Sequence, residues 1–333
     1  MPHPRLVLTL LAGLVLCGAP AACTTNSATG RSQFLTMSRD EEIKLGTDSK
    51  PELTQEFGGP VPSPELQAYV TDIGRRLSQQ TEADNPSLPW EFTLLDSAVF
   101  NAFALPGGKV FITRGLAEGL TNEAQMAAVI GHEIGHVTAR HTNERFGQAA
   151  ATTVGGAILG GLIGAAASGD AKGAVVGAGA GATVGQVAAL SFSRDQEIEA
   201  DRLGMRYMER LRYDPVGAIE VQQILQKHSG GGSFDIFATH PSSETRIREL
   251  QRRFEKYYQH TVNNPQYQKF QDRYEQQFLA RVRKLPPPKQ TAMSGPSATV
   301  PLVFSLPARS ALIDLDHPET WCAHCRDQAH ASR

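Results

Sequence analysis

Apolar and polar positions repeat with the period of a helix between about residues 121 and 146. Met126, Ile130, Ile134 and Val137 form one apolar stripe, and His132 and His136 fall roughly opposite it. Thr121 is placed to cap the helix, with Glu123 in its first turn, where a negative charge suits the helix dipole. Ala124, Ala128, Gly131, Gly135 and Ala139 lie beside or near the histidine face. Two mid-helix glycines each cost about 1 kcal/mol against alanine, so they point to the close approach of a second helix. The same pattern predicts that this helix continues through Arg140 and His141 to about Phe146.

Upstream, Ser38 to about Gln80 reads as helical. Ser38-Arg39-Asp40-Glu41 has the form of a capping box, and Ser63-Pro64 that of an N-cap followed by proline at the first helical position. Leu66, Val70, Ile73 and Leu77 supply the buried stripe. Trp90 to Leu95 and Lys109 to Thr113 read as strands, separated by Phe100 to Gly108 with a Pro-Gly-Gly turn. Such a sheet beside the central helix offers a free edge on which an extended peptide can pair, making Asn101, Ala102 and Phe103 candidate substrate contacts. Residues 215–228 and 242–258 read as further helices, the latter burying Ile247, Leu250 and Phe254. Gly230-Gly231-Gly232 forms a flexible loop between them. Asn264 to about Lys284 reads as a polar helix studded with aromatics. Mainly helical segments with a small sheet give an α+β fold.

The ends and one internal stretch depart from this pattern. Arg5 precedes an apolar run, Leu6 to Leu16, and then the small residues Gly18 to Ala22, so residues 1–22 read as an export signal. Cleavage could follow Ala21, or precede Cys23 and leave it acylated. The polar run Thr24 to Gly30 suits a lipoprotein tether over 23–36. Lipid on Cys23 also accounts for the odd number of cysteines left after Cys17 departs with the signal. Residues 149–190 are almost wholly Ala, Gly, Val, Leu and Ile, with Gly156, Gly160 and Gly164 at a spacing that lets helices pack closely. They read either as a membrane hairpin or as buried or lid helices, and the weak hydrophobicity of Ala and Gly favours the second. From Leu285 to Arg333 the Pro-rich chain reads as a disordered extension, ending in Cys322-Ala323-His324-Cys325 without the βαβ surroundings of a redox site. The organised domain therefore covers about 37–260, followed by a C-terminal helix over 261–284. With 32 Lys and Arg against 34 Asp and Glu, nothing suggests a nucleic-acid partner.

The chemistry lies in His132-Glu133-Ile134-Gly135-His136. Residues four apart share a helix face, so the two histidines can bind one metal ion, with Glu133 at the rim of that face within reach of a water. Gly at 139 and His at 142, required by the longer HExxHxxGxxH pattern, are absent: Ala139 and Thr142 stand there. His141 is therefore read as a structural or surface histidine. A second stretch, Ser193 to Asp201, places Glu197, Asp201, Gly204 and Met208 on one helix face. Glu197 can supply a third ligand, with Glu199 the second choice. Asp201 can accept a hydrogen bond from the far nitrogen of a ligating histidine. Two histidines and a carboxylate suit one Zn²⁺ per chain and leave its fourth position for a water.

These two stretches, with Thr239-His240-Pro241, resemble the zinc metalloendopeptidase family of HtpX and the CAAX prenyl proteases, and within it the periplasmic BepA-like branch. The resemblance covers roughly Phe34 to Phe254. It implies a gluzincin-type peptidase domain with zinc on His132, His136 and Glu197, Glu133 as catalytic base, and Asp201 as a further catalytic residue. It also implies a place near the metal for His240, which could bind zinc in place of water, stabilise the oxyanion, or anchor its loop. Two departures stand out: the transmembrane helices that precede the metal helix in HtpX and the prenyl proteases, and the C-terminal helical repeats of BepA-like proteins, are not legible here. The expected function is degradation of misfolded or misassembled envelope proteins in the periplasm, from an outer-membrane lipid anchor. The rival is a mainly non-proteolytic chaperone or binding lipoprotein whose zinc site is blocked.

Overall fold

The computed structural model describes residues 23–82, 85–148, 191–228, 236, 240 and 244–290. The export signal at 1–22, the Ala/Gly-rich segment at 149–190, the triple glycine at 230–232 and the tail from 291, with its two cysteines, lie outside the described residues.

The chain opens with a hairpin, β1 (Cys23–Thr25) against β2 (Ser32–Phe34), followed by helices α1 (Arg39–Glu56) and α2 (Pro64–Ser78). Ser38 forms the full capping box with Glu41, and Ser63 caps α2 ahead of Pro64. Leu66, Val70, Ile73 and Leu77 are each at most 1% exposed. Burial of such side chains stabilises by about 1.5–3 kcal/mol apiece.

The sheet comprises β3 (Glu91–Leu95), β4 (Ala102–Leu105) and β5 (Lys109–Thr113), in the order β3-β5-β4. The two expected strands pair in parallel, Glu91 opposite Lys109, while the connector between them is itself a strand, antiparallel to β5. Every residue of β5 is buried, as suits the central strand. The Pro-Gly-Gly turn closes the β4–β5 hairpin with Gly107 and Gly108 at φ 75° and 94°, where a side chain would be strained.

After α3 (Arg114–Gly119) comes the central helix α4 (Glu123–Thr138). Its N-cap is Asn122 rather than Thr121: the Asn122 carboxamide oxygen accepts from the Gln125 amide, while the Thr121 amide turns to the Gln125 side chain. Glu123, only 1% exposed, ties this end to the core through the hydroxyls of Tyr69 and Tyr213 and the guanidinium of Arg273. Burial raises the Glu123 carboxyl, but these donors outweigh it and hold the group below its usual range. Replacing Glu123 by Gln should cost about 2–3 kcal/mol, because the buried cationic and hydroxyl donors lose their common acceptor. Chemical denaturation of the two proteins side by side checks this, and an unchanged midpoint would refute it.

The central helix ends sooner than the sequence suggests. Arg140 adopts φ 56°, the left-handed conformation that commonly terminates helices, and bonds there to Glu42 and the Met37 carbonyl. A separate helix, α5, runs over 141–148. Across the core, α6 (Arg194–Arg210) packs along α4, followed by α7 (Val216–His228) and α8 (Glu244–Tyr257). Along α8 the buried positions are Arg246, Leu250 and Arg253, whereas the expected Ile247 and Phe254 are only partly buried.

Three expectations about flexible or helical flanks need correction. Residues 23–36 do not dangle as a tether. Asn26 and Gln33 are buried and donate to the Thr138 and Ala139 carbonyls, which end α4 without partners of their own. The C-terminal helix α9 begins at Gln271 rather than Asn264, after Phe270 at φ 51°, and passes through a π-helical turn at Glu275–Leu279 to Ala280–Val282. The proline run also docks: buried Arg114 takes the Pro286 and Val282 carbonyls, and Lys289 exchanges backbone bonds with Asp96 and Ala98. Proline carbonyls serve as acceptors without requiring donors in return, so this segment takes up guanidinium protons of Arg114 that its ion pairs with Glu118 and Asp96 leave over. No helix among the described residues is long and apolar enough to cross a membrane.

Candidate metal centre

Helices α4 and α6 lie close because small residues face each other. A Cβ on Gly131 would sit 3.3 Å from the Gly204 Cα, and one on Gly135 would sit 2.9 Å from the Ala200 carbonyl oxygen. That approach carries Glu197 of α6, fully buried, to the two histidines of α4. His132 Nε2 and His136 Nε2 are 3.0 Å apart, at 3.4 Å and 3.3 Å from the Glu197 carboxylate oxygens. His240 joins them, its Nδ1 3.0 Å from Glu197 Oε1 and 3.4 Å from His132 Nε2. One donor atom from each of these four side chains lies within 4.8 Å of all the others.

Around this group each charge has a counterpart. His132 Nδ1 is 2.8 Å from Asp201 Oδ1, and Asp201 accepts two bonds from Arg246 at 2.7 and 2.9 Å. Arg246 Nη1 also lies 2.6 Å from Glu197 Oε2. Burial pushes the His132 ring down, but Asp201 and Glu197 outweigh it and hold it up at about 10. Burial, with the neighbouring His132 and His141 rings, keeps His136 well below its ordinary value against the pull of Glu197, and burial pushes the Glu133 carboxyl up. Glu197 and Asp201 stay well ionised despite burial: His240 and Arg246 hold the first, Arg246 and His132 the second.

The donor set suits zinc, with imidazole nitrogens and a carboxylate oxygen converging. One buried carboxylate oxygen, Glu133 Oε2, has no hydrogen-bond partner among the described residues, which a water on the ion would relieve. A cation on His132 Nε2 competes with the proton that the neighbouring carboxylates favour there, and Asp201 then raises the ring's basicity.

Glu133 stands beside this group, its Oε1 3.6 Å from His240 Nε2. An adjoining apolar pocket is walled by Val129, Val221, Leu225 and Ile236, with His132, Glu133 and Arg246 on its lining. Glu199 turns away from the histidine pair to His141 and Arg31. Asn101, Ala102 and Phe103 are buried and do not line this pocket. Phe103 stacks on Phe111 and packs against Phe57, so only the backbone of edge strand β4 is left to meet a peptide. β4 does reach the metal helix: Ala104 and His136 line one small cavity.

Three residues of the centre escape a reading by periodicity. Arg246 occupies an apolar-face position of α8, four residues before Leu250; an arginine in a buried stripe is the one hint the sequence offers. Phe192 stacks on His136 with ring centroids 4.0 Å apart. His141 is fully buried against His136, Nδ1 to Nδ1 2.9 Å, a contact created by the break at Arg140.

Comparison with known proteins places this geometry. The model of peptidase family M48 matches residues 64–254. The mitochondrial metalloendopeptidase OMA1 of Schizosaccharomyces pombe is 30% identical over 66% of this chain and 63% of its own length. The β-barrel assembly-enhancing protease of Escherichia coli is 31% identical over 75% of this chain and 52% of its own length. The chain thus spans between half and two thirds of the length of these relatives.

Proposed function

The chain belongs to peptidase family M48, and from that premise we propose that it is a zinc-dependent endopeptidase. The observation that carries the reading is the convergence of His132, His136 and Glu197 from two helices, with Glu133 beside them. When bound, zinc supplies a Lewis acid that polarises the scissile carbonyl and acidifies a water. Glu133 takes the water's proton and passes it to the leaving amine; its burial raises its proton affinity, as a base working near neutrality requires. Asp201 keeps His132 in the tautomer that presents Nε2. The apolar pocket at Val129, Val221, Leu225 and Ile236 offers a place for a substrate side chain. The free side of β4 offers a peptide backbone partner.

The substrates we propose are misfolded or misassembled proteins of the cell envelope, met in the periplasm. Supporting this are the export-signal pattern at 1–22 and a relative whose name refers to β-barrel assembly. Lipid on Cys23 would anchor the chain at the outer membrane. Because the hairpin that starts at Cys23 folds onto α4, such an anchor would hold the catalytic domain close to the membrane surface.

His240 makes a second reading specific. Its ring stands among the ligands, so it can fill the position that a water needs and leave a chaperone-like protein with a blocked site. Casein digestion by the full chain, with chelator and after zinc is restored, tests the main reading. Cleavage should vanish on chelation and return with zinc, and should be absent in Glu197→Ala. His240→Ala should raise cleavage severalfold. No cleavage by either the unaltered chain or His240→Ala, with zinc bound, would leave the chaperone reading standing.

A further inference from the structure

The two metal-facing histidines are each braced from behind, but by different means. His132 leans directly on Asp201, which Arg246 holds. His136 has a longer support. Its Nδ1 lies 2.9 Å from His141 Nδ1; His141 Nε2 lies 2.9 Å from Glu199 Oε2; and Arg31 reaches Glu199 at 3.1 and 3.4 Å. Arg31 is itself clamped by Glu144 at 2.6 and 2.8 Å. His141 is fully buried and Glu199 is 5% exposed.

Proton placement along this line has one solution. Nε2 of His136 faces the ligand group, so its proton sits on Nδ1 and donates to a bare His141 Nδ1. The His141 proton then sits on Nε2 and donates to Glu199, which must be ionised, and Arg31 supplies the countercharge. Arg31 lies in the turn between β1 and β2, far from the ligands in sequence. The docking of that hairpin does not require this line, because Asn26 and Gln33 already hold it to the end of α4.

Resting on the metal-centre reading above, we propose that the N-terminal hairpin is a working part of that centre, with Arg31 a positioning residue that fixes His136 through Glu199 and His141. The segment nearest Cys23 is thereby coupled to a metal ligand. Loss of an outer support of this kind typically weakens metal binding 10- to 100-fold.

The test uses full-length chains titrated with zinc against a chromogenic chelator, together with the visible spectrum of the cobalt-substituted protein. Arg31→Ala should lower zinc affinity about 10-fold or more and alter the cobalt bands. Asn26→Ala, which removes the hairpin's side-chain bonds to the Thr138 carbonyl and to Gln33 and touches no side chain of the line, should lower the melting temperature but leave affinity within about threefold of the unaltered chain. His141→Leu carries the same expectation as Arg31→Ala, should the latter not fold. Equal affinity losses in Arg31→Ala and Asn26→Ala would reduce the hairpin to general stabilisation and overturn the inference. So would a folded Arg31→Ala or His141→Leu with unaltered affinity and spectrum. Failure of the unaltered chain to bind zinc would overturn the metal-centre reading and this inference with it.

Discussion

Replacing Glu133 by Gln should abolish casein cleavage, by about 10²- to 10⁴-fold, while zinc content stays at one per chain. The size follows from the usual contribution of a positioned general base. The retention of metal follows from geometry, since the ligand group consists of His132, His136, Glu197 and His240 and does not include Glu133. Stability should hold or rise slightly. Burial already pushes the Glu133 carboxyl towards its neutral form, and its Oε2 has no hydrogen-bond partner among the described residues, so the amide is a near match in shape with no charge to bury. Cleavage assay, zinc analysis and thermal melting on the same preparation check all three. A Glu133→Gln protein that retained a tenth of the activity would remove Glu133 from the role of base.

The second large effect belongs to Arg246. Its guanidinium touches both Asp201 and Glu197 while only 2% exposed, so it is the common countercharge of two buried carboxylates. Arg246→Met leaves both without it, and breaking a buried pair by removing one partner costs about 3–5 kcal/mol. The loss should be greatest in chelated protein. With zinc present, the ion takes over part of the neutralisation of Glu197, and the gap between loaded and chelated melts should widen in the variant. Arg246→Lys should fall between, because an ammonium cannot span two carboxylates as the planar fork does. Equal melting of Arg246→Met and the unaltered protein under chelation would contradict this account.

Both predictions concern residues that sequence reading treats very differently. Glu133 was visible from its setting, since a histidine pair four apart on a helix defines a face and the acidic neighbour falls at its rim. Arg246 was hidden, because an arginine on an amphipathic helix looks like a solvated charge until the neighbouring helix supplies two carboxylates. His141 lay between these cases. The pattern excluded it as a ligand, yet only the left-handed turn at Arg140 carries it back against His136. Residues 23–36 look like a tether in sequence for a related reason: their polar side chains are those of a linker, and the partners of Asn26 and Gln33 are helix-end carbonyls more than a hundred residues away.

What the sequence determined by itself is what local chemistry decides. The caps at Ser38 and Ser63, the buried stripes of α2 and α4, the Pro-Gly-Gly turn and the histidine face all follow from residues within one or two turns of each other, where spacing alone sets direction. Tertiary structure alone decided which strands pair in parallel, where α4 stops, that Arg246 and Arg31 each stand behind a histidine's carboxylate, and that the proline run docks. Those outcomes depend on balancing buried charges and unpaired backbone groups, and the partner that does so can lie anywhere along the chain.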